Sequence, residues 1–417
     1  MTILTAGRAE HDAVDSTYAW IRLFVALIAG TVGSAGMWSY VVALPTVQAD
    51  FGILRADASL PYTVVIIGFA VGGVMMGRFV DRFGIVWPGI GGTLLAAAGF
   101  FAAGFAPGIW ALSAAHFVIG VGASATFGPL IADMSHWFRK RRGIAIAIAS
   151  CGNYAAGAVW PPIVQYFIAS NGWRTTHIGI GVFSIVVMIP LLLAMRRRSP
   201  VETVAVGTAT QMRGDANTRG LRLAPNTLQA LLAVAGIACC VAMAMPQVHI
   251  VAYCGDLGYG VARGAEMLAL MLGFGLISRV LSGSIADRIG GLGALILGSA
   301  LQAFALLLYL VFDGLTSLYV VSALFGLFQG GIIPMYAVIV REYFPARDAG
   351  VRTGLALMFA LSGMALGGWM SGAIFDLSGS YRAAFINGFL WNLLNLVIVG
   401  WLLIRSHGGM DRRLAPA

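Results

Sequence analysis

Gly77-Arg78-Phe79-Val80-Asp81-Arg82-Phe83-Gly84 returns 206 residues later as Gly283-Ser284-Ile285-Ala286-Asp287-Arg288-Ile289-Gly290. Each copy follows a long apolar stretch, and both read Gly-x-x-x-Asp-Arg-x-Gly. Two further pairs keep nearly the same spacing. Trp137-Phe138 and Tyr343-Phe344 also lie 206 residues apart, and Gly172-Trp173-Arg174 and Ser380-Tyr381-Arg382 lie 208 apart. Three matches at nearly one offset imply two related halves running in the same sense, each a repeat of the other.

What the halves are made of follows from composition. The 417 residues are 59% hydrophobic and only 10% charged, whereas a soluble domain carries roughly 25% charged residues. Too little charge remains to cover a water-facing surface. A membrane helix needs roughly 20 apolar residues, and twelve stretches qualify, near 18–45, 59–80, 84–105, 109–135, 143–169, 176–195, 225–254, 264–285, 291–312, 316–341, 350–376 and 382–404. The expected fold is an all-α polytopic membrane protein with twelve transmembrane helices in two six-helix bundles. Its parts are a tail at 1–17, a bundle at 18–195, a linker at 196–224, a bundle at 225–404 and a tail at 405–417. The first apolar stretch is longer than a signal-peptide core, which predicts a retained span.

Charge sets the expected orientation. With both termini inside, 20 of the 26 Lys and Arg fall in inside segments and four outside, leaving Arg22 and Arg279 within spans. That is the positive-inside pattern of a multi-pass protein with cytoplasmic termini, in a cell inner membrane. The net charge of +9 is accounted for in the same way and implies no nucleic-acid partner. Cys151, Cys239, Cys240 and Cys254 lie in or beside apolar stretches without metal or disulfide spacing, so they read as reduced and buried. His116, His136 and His177 show no ligand-like spacing, and no phosphate loop, nucleophile triad or cofactor site emerges.

Several residues sit where polar chemistry is costly. Arg279 lies eight residues before Asp287, roughly 12 Å into the membrane at 1.5 Å per residue, and its repeat counterpart is Gly73. An intramembrane arginine facing a cavity suits an anionic substrate, because guanidinium pairs a carboxylate through two hydrogen bonds at any pH. His249, Tyr253 and Asp256 share one helical face by their i, i+4, i+7 spacing. They are candidates for the site, with Asp256 and His249 for proton coupling. Asn153 and Tyr154 in the fifth stretch, Tyr336 in the tenth, and Trp38, Ser39 and Tyr40 in the first lie at a depth where they can line a cavity. In the repeated turn, Gly77, Gly84, Gly283 and Gly290 permit a tight turn and close packing. Asp81 and Asp287 can meet a neighbouring helix N-terminus, and Arg82 and Arg288 a carboxylate or carbonyls.

That turn resembles the loop motif of the major facilitator superfamily. Three further stretches resemble its monocarboxylate transporter family, bacterial members included: Trp137 to Gly152, Arg279 to Arg288, and His249 to Asp256 with Gly258. Tyr18-Ala19-Trp20 echoes the family's aromatic entry to the first span. The resemblance implies that Arg279 binds the substrate carboxylate and that a histidine and an aspartate border the site. Animal members carry a lysine in the first span and an aspartate one turn before the arginine; here that span has no lysine, and the position is Gly275. Related oxalate–formate exchangers carry a second intramembrane cation in the eleventh span, where this chain has only Arg352, at the inner end. One buried cation favours a monoanion. The expected function is proton-coupled symport of a lactate- or pyruvate-like acid, with Asn153 and Tyr336 shaping the cavity. The alternatives are exchange of other organic anions or proton-driven export of hydrophobic compounds. A receptor or membrane enzyme fits less well, because no catalytic constellation is present. Oligomeric state leaves no mark on the sequence.

Overall fold

The computed structural model describes residues 14–138, 140–197, 221 and 223–414. Most of the 1–17 tail and the 196–224 linker lie outside the described residues. Among the described residues all regular structure is helical, as expected where no water is present to satisfy a backbone hydrogen bond. The helices are α1 (Thr17–Gly33), α2 (Ala35–Phe51), α3 (Arg55–Phe83), α4 (Val86–Gly104), α5 (Ile109–Ala123), α6 (Gly128–Trp137), α7 (Arg142–Ser150) and α8 (Gly152–Ala194). They continue as α9 (Pro225–Asp256), α10 (Val261–Val311), α11 (Leu315–Gln329), α12 (Ile332–Tyr343), α13 (Ala346–Ser378) and α14 (Tyr381–Leu414).

Among the described residues, ten helical runs are long and apolar enough to cross a membrane. This differs from the expected twelve because two pairs of expected spans run on as single stretches, Gly143–Ala194 of 52 residues and Val261–Val311 of 51. Inside each, one glycine leaves helical geometry: Gly172 at φ 79° and Gly290 at φ 77°. Other expected spans are interrupted within their length. Ser34 separates α1 from α2, a short 3₁₀ turn over Ser124–Thr126 separates α5 from α6, and Gly330-Gly331 separates α11 from α12. Interrupted membrane helices expose backbone groups where a polar site can use them.

The described residues form two compact units. One lies within Met1–Thr203 with Cys254–Ala269, the other within Val204–Tyr253 with Leu270–Ala417. The repeat is visible inside each. Gly84 ends α3 at φ 75°, ψ 176°, and Gly290 has φ 77°, ψ 166°, a conformation essentially restricted to glycine. In the first unit α5 is pressed onto α3 so closely that a methyl on Gly120 would overlap the Val65 carbonyl. In the second, one on Gly326 would overlap the Met271 carbonyl, both residues being 206 further on. Small residues at such crossings let backbones approach where lipid offers no hydrophobic driving force. The motif glycines Gly77 and Gly283 do not act this way, since a Cβ on either meets nothing within 4 Å. The close crossings in the two units are made by Gly120 and Gly326.

Candidate functional site

In the second unit, Arg279 sits on α10 with only 7% of its surface exposed, and its Nε donates to the Gly330 carbonyl at 3.4 Å. That carbonyl stands at the α11–α12 break. The break is held against α10, since the Gly331 amide donates to Ser278 Oγ at 3.1 Å, and a methyl on Gly330 would overlap the Gly275 carbonyl. Gly275, where the family resemblance implies an aspartate in animal members, is therefore part of a tight backbone crossing.

Tyr336 is fully buried, and its hydroxyl donates to Asn395 Oδ1 at 3.3 Å. Asn395 Nδ2 donates in turn to Ser299 Oγ at 2.7 Å, while Asn392 Nδ2 donates to the Ser299 carbonyl at 2.7 Å. Gln247 and Gln329 meet side chain to side chain at 3.0 Å, also fully buried. Amide side chains of this kind join membrane helices through interhelical hydrogen bonds.

His249 is buried with both ring nitrogens engaged, Nδ1 with the Tyr381 hydroxyl at 3.1 Å and Nε2 with the Gly368 carbonyl at 2.8 Å. A carbonyl only accepts, so Nε2 carries a proton, and a neutral ring then receives the Tyr381 hydroxyl proton at Nδ1. Tyr253 packs edge-on to the same Tyr381 ring at 5.4 Å. The expected trio is thus partly assembled: His249 and Tyr253 meet on Tyr381, whereas Asp256 pairs with Arg55.

That pair belongs to the first unit. Arg55 Nη1 and Nη2 donate to the two Asp256 carboxylate oxygens at 3.0 and 3.2 Å, with the Arg55 side chain 8% exposed and that of Asp256 37%. In the sequence Arg55 stands as a loop charge, because its partner lies 201 residues away. One signal was available. Asp50-Phe51-Gly52 and Asp256-Leu257-Gly258 are 206 residues apart, and Gly52 and Gly258 both have positive φ. Asp50 likewise holds an arginine, Arg174, and accepts from Trp173 Nε1 at 3.1 Å.

Elsewhere in the first unit, Trp38 Nε1 donates to the carbonyl of Asn153 at 3.0 Å and to its Oδ1 at 2.9 Å, joining two expected cavity residues. Arg22, the other arginine within a span, forms a bidentate pair with Asp133 at 2.9 and 3.1 Å and donates to the Met195 carbonyl at 2.7 Å. His116 and His177, without a pattern in sequence, lie ring to ring at 5.5 Å, each Nδ1 bonded to the carbonyl four residues earlier at 2.8 Å. Among the described residues, no three His, Cys, Asp or Glu converge as metal ligands. The four cysteines are free and buried.

In the repeated turn, Arg82 is exposed beside the Phe83 ring, and Asp287 and Arg288 are exposed. The Asp81 side chain lies outside the described residues. The helix N-terminus after Gly290 is met by a carboxylate that is not Asp287. Glu342 accepts from the Gly291 amide at 3.0 and 3.1 Å, from 51 residues further along.

A helical chain of membrane-crossing segments, built of two repeated halves with polar groups at its helix breaks, is a multi-pass membrane protein of transporter type. It belongs to the major facilitator superfamily, whose sequence profile matches residues 26–317 and 277–415. It is similar to Monocarboxylate transporter 13 of Bos taurus, 28% identical over 91% of this chain and 88% of the relative. The Rattus norvegicus protein of the same name is 26% identical over 87% and 82%. A Bacillus subtilis relative, the uncharacterized MFS-type transporter YcxA, is 25% identical over 78% of this chain and 82% of that protein. Among solved structures, a bacterial homologue of the human lysosomal transporter Spinster, inward-facing and unoccupied, superposes with a TM-score of 0.72 at 14% identity. The match covers 96% of this chain and 99% of that one, and at this identity it shows the fold. The protein is a membrane transporter, and these relatives are transporters rather than enzymes.

Proposed function

We propose that the protein carries a small monocarboxylate, of the lactate or pyruvate kind, together with a proton across the cell's inner membrane by alternating access. The observation that carries the reading is Arg279, a buried cation within the membrane stretch of α10, beside a break in its neighbour. At mid-membrane an arginine costs about 2.5–3.5 kcal/mol on insertion scales and is retained where it meets an anion or a polar partner. The relatives named monocarboxylate transporters support an acid as that anion. Gly172 and Gly290 support reading each long helical run as two crossings, which gives twelve spans in bundles 18–195 and 225–404 with both termini cytoplasmic.

In this reading Arg279 clamps the carboxylate, with Asn153 and Tyr253 at the cavity and Tyr336 supporting its wall. Asp256 takes the proton, which neutralises the carboxylate and releases Arg55, and His249 with Tyr381 offers a second hydrogen-bonded proton site. Asp81, Arg82, Asp287 and Arg288 steady the state closed to the cytoplasm. The test is uptake of labelled L-lactate into proteoliposomes. Accumulation driven by an inward proton gradient and abolished by an uncoupler is expected. Uptake that ignores the gradient would remove the proton, and failure of folded protein to take up any monocarboxylate would overturn the reading.

A further inference from the structure

The first unit carries a groove of about 600 Å³ that none of the transport residues enters. Its walls are the two arms of α8 on either side of Gly172, and α1 closes it. Val159, Ile163, Phe167 and Phe183 line it while remaining 42–48% exposed. Large apolar side chains exposed at membrane depth meet hydrocarbon. One end of the groove is polar, formed by exposed Asn171 and Thr175 at the face that carries few arginines. The other end is shut by Val32 and by Trp160, whose Nε1 donates to the Thr31 carbonyl at 3.0 Å.

The dimensions select an occupant. From Asn171 down to Val159 is twelve residues, about 18 Å of helix at 1.5 Å per residue. One leaflet contributes half of a hydrocarbon core about 30 Å thick, so roughly 15 Å. A groove one leaflet deep, polar at the interface and apolar below, fits an amphiphile standing upright in the bilayer. The wall also has room to spare, since a Cβ on Gly179 meets nothing within 4 Å. We infer that this groove is a binding site for one acyl chain of a phospholipid in the leaflet on the arginine-poor side, with its headgroup level with Asn171 and Thr175. The chain lies along α8 and ends against the Trp160–Thr31 contact, so it braces α1 against α8.

The test does not involve transport, so its outcome is independent of the substrate. The full chain is purified in a mild detergent with added phosphatidylethanolamine, and retained lipid is counted by native mass spectrometry. Gly179→Trp fills the groove, Ile163→Trp fills it from the opposite wall, and Val186→Trp places the same side chain at a residue that does not line it. Thermal unfolding identifies which variants are folded. The expected result is one phospholipid fewer in each folded groove variant and an unchanged count in Val186→Trp. Equal counts in all four proteins would overturn the site. So would a groove variant that keeps its lipid but shifts a dimer to monomer, since the occupant would then be a second copy of the chain.

Discussion

At the scale of single residues, the same type of side chain does different work according to what faces it. Arg22 and Arg279 are both buried arginines: Arg22 pairs with the Asp133 carboxylate and donates to the Met195 and Arg197 carbonyls, and the Nε of Arg279 donates to the Gly330 carbonyl at a helix break. Arg279→Lys keeps the charge and loses the planar fork. A charged hydrogen bond is worth about 1.5–3 kcal/mol, so transport efficiency for L-lactate should fall about 10- to 100-fold with little change in thermal stability. An unchanged efficiency would place the carboxylate elsewhere. Asp256→Asn should abolish the effect of a proton gradient while leaving lactate exchange between the two sides intact. Arg55→Gln should leave some gradient dependence, because it removes the partner and keeps the carboxylate. If Asp256→Asn still accumulates lactate, His249 carries the proton. Arg279 was legible because an isolated charge in an apolar run is conspicuous. The Arg55–Asp256 pair and the Glu342 contact with Gly291 were not, because they join residues 201 and 51 positions apart that only folding brings together.

At the scale of elements, helix crossings and helix ends put different demands on glycine. Gly326 lies against the Met271 carbonyl, so Gly326→Val should destabilise the second unit by at least the roughly 1–3 kcal/mol typical of overpacking. Gly283 faces open space within a helix, and Gly283→Ala should hold or raise the melting temperature, since alanine is the better helix former by about 1 kcal/mol. Gly290→Ala forces alanine into a conformation costing about 1–3 kcal/mol and should lower it. Thermal unfolding of the three variants in detergent checks the order, and equal melting temperatures would contradict it. The motif announced a turn in the sequence, and Gly84 and Gly290 make one. Close backbone approach is made by Gly120 and Gly326, which lie outside the motif.

At the scale of the whole molecule, the apolar stretches and the 206-residue offset carried the architecture, since both depend on composition and spacing. Within the two long runs the chain turns at Gly172 and Gly290, each with positive φ, where the sequence shows Gly172-Trp173-Arg174 and Asp287-Arg288-Ile289-Gly290. Substrate and coupling depend on a few side chains at the helix breaks, and there the sequence identifies types of residue without their partners. The central claim is that the buried arginine of the second half holds a carboxylate during transport. It is tested most directly by gradient-driven uptake of labelled L-lactate into proteoliposomes, comparing the unaltered chain with Arg279→Gln at matched, folded protein density. The account predicts uncoupler-sensitive accumulation in the first and loss of uptake in the second, with melting temperatures that agree. Lactate accumulation at the same rate in both would contradict it.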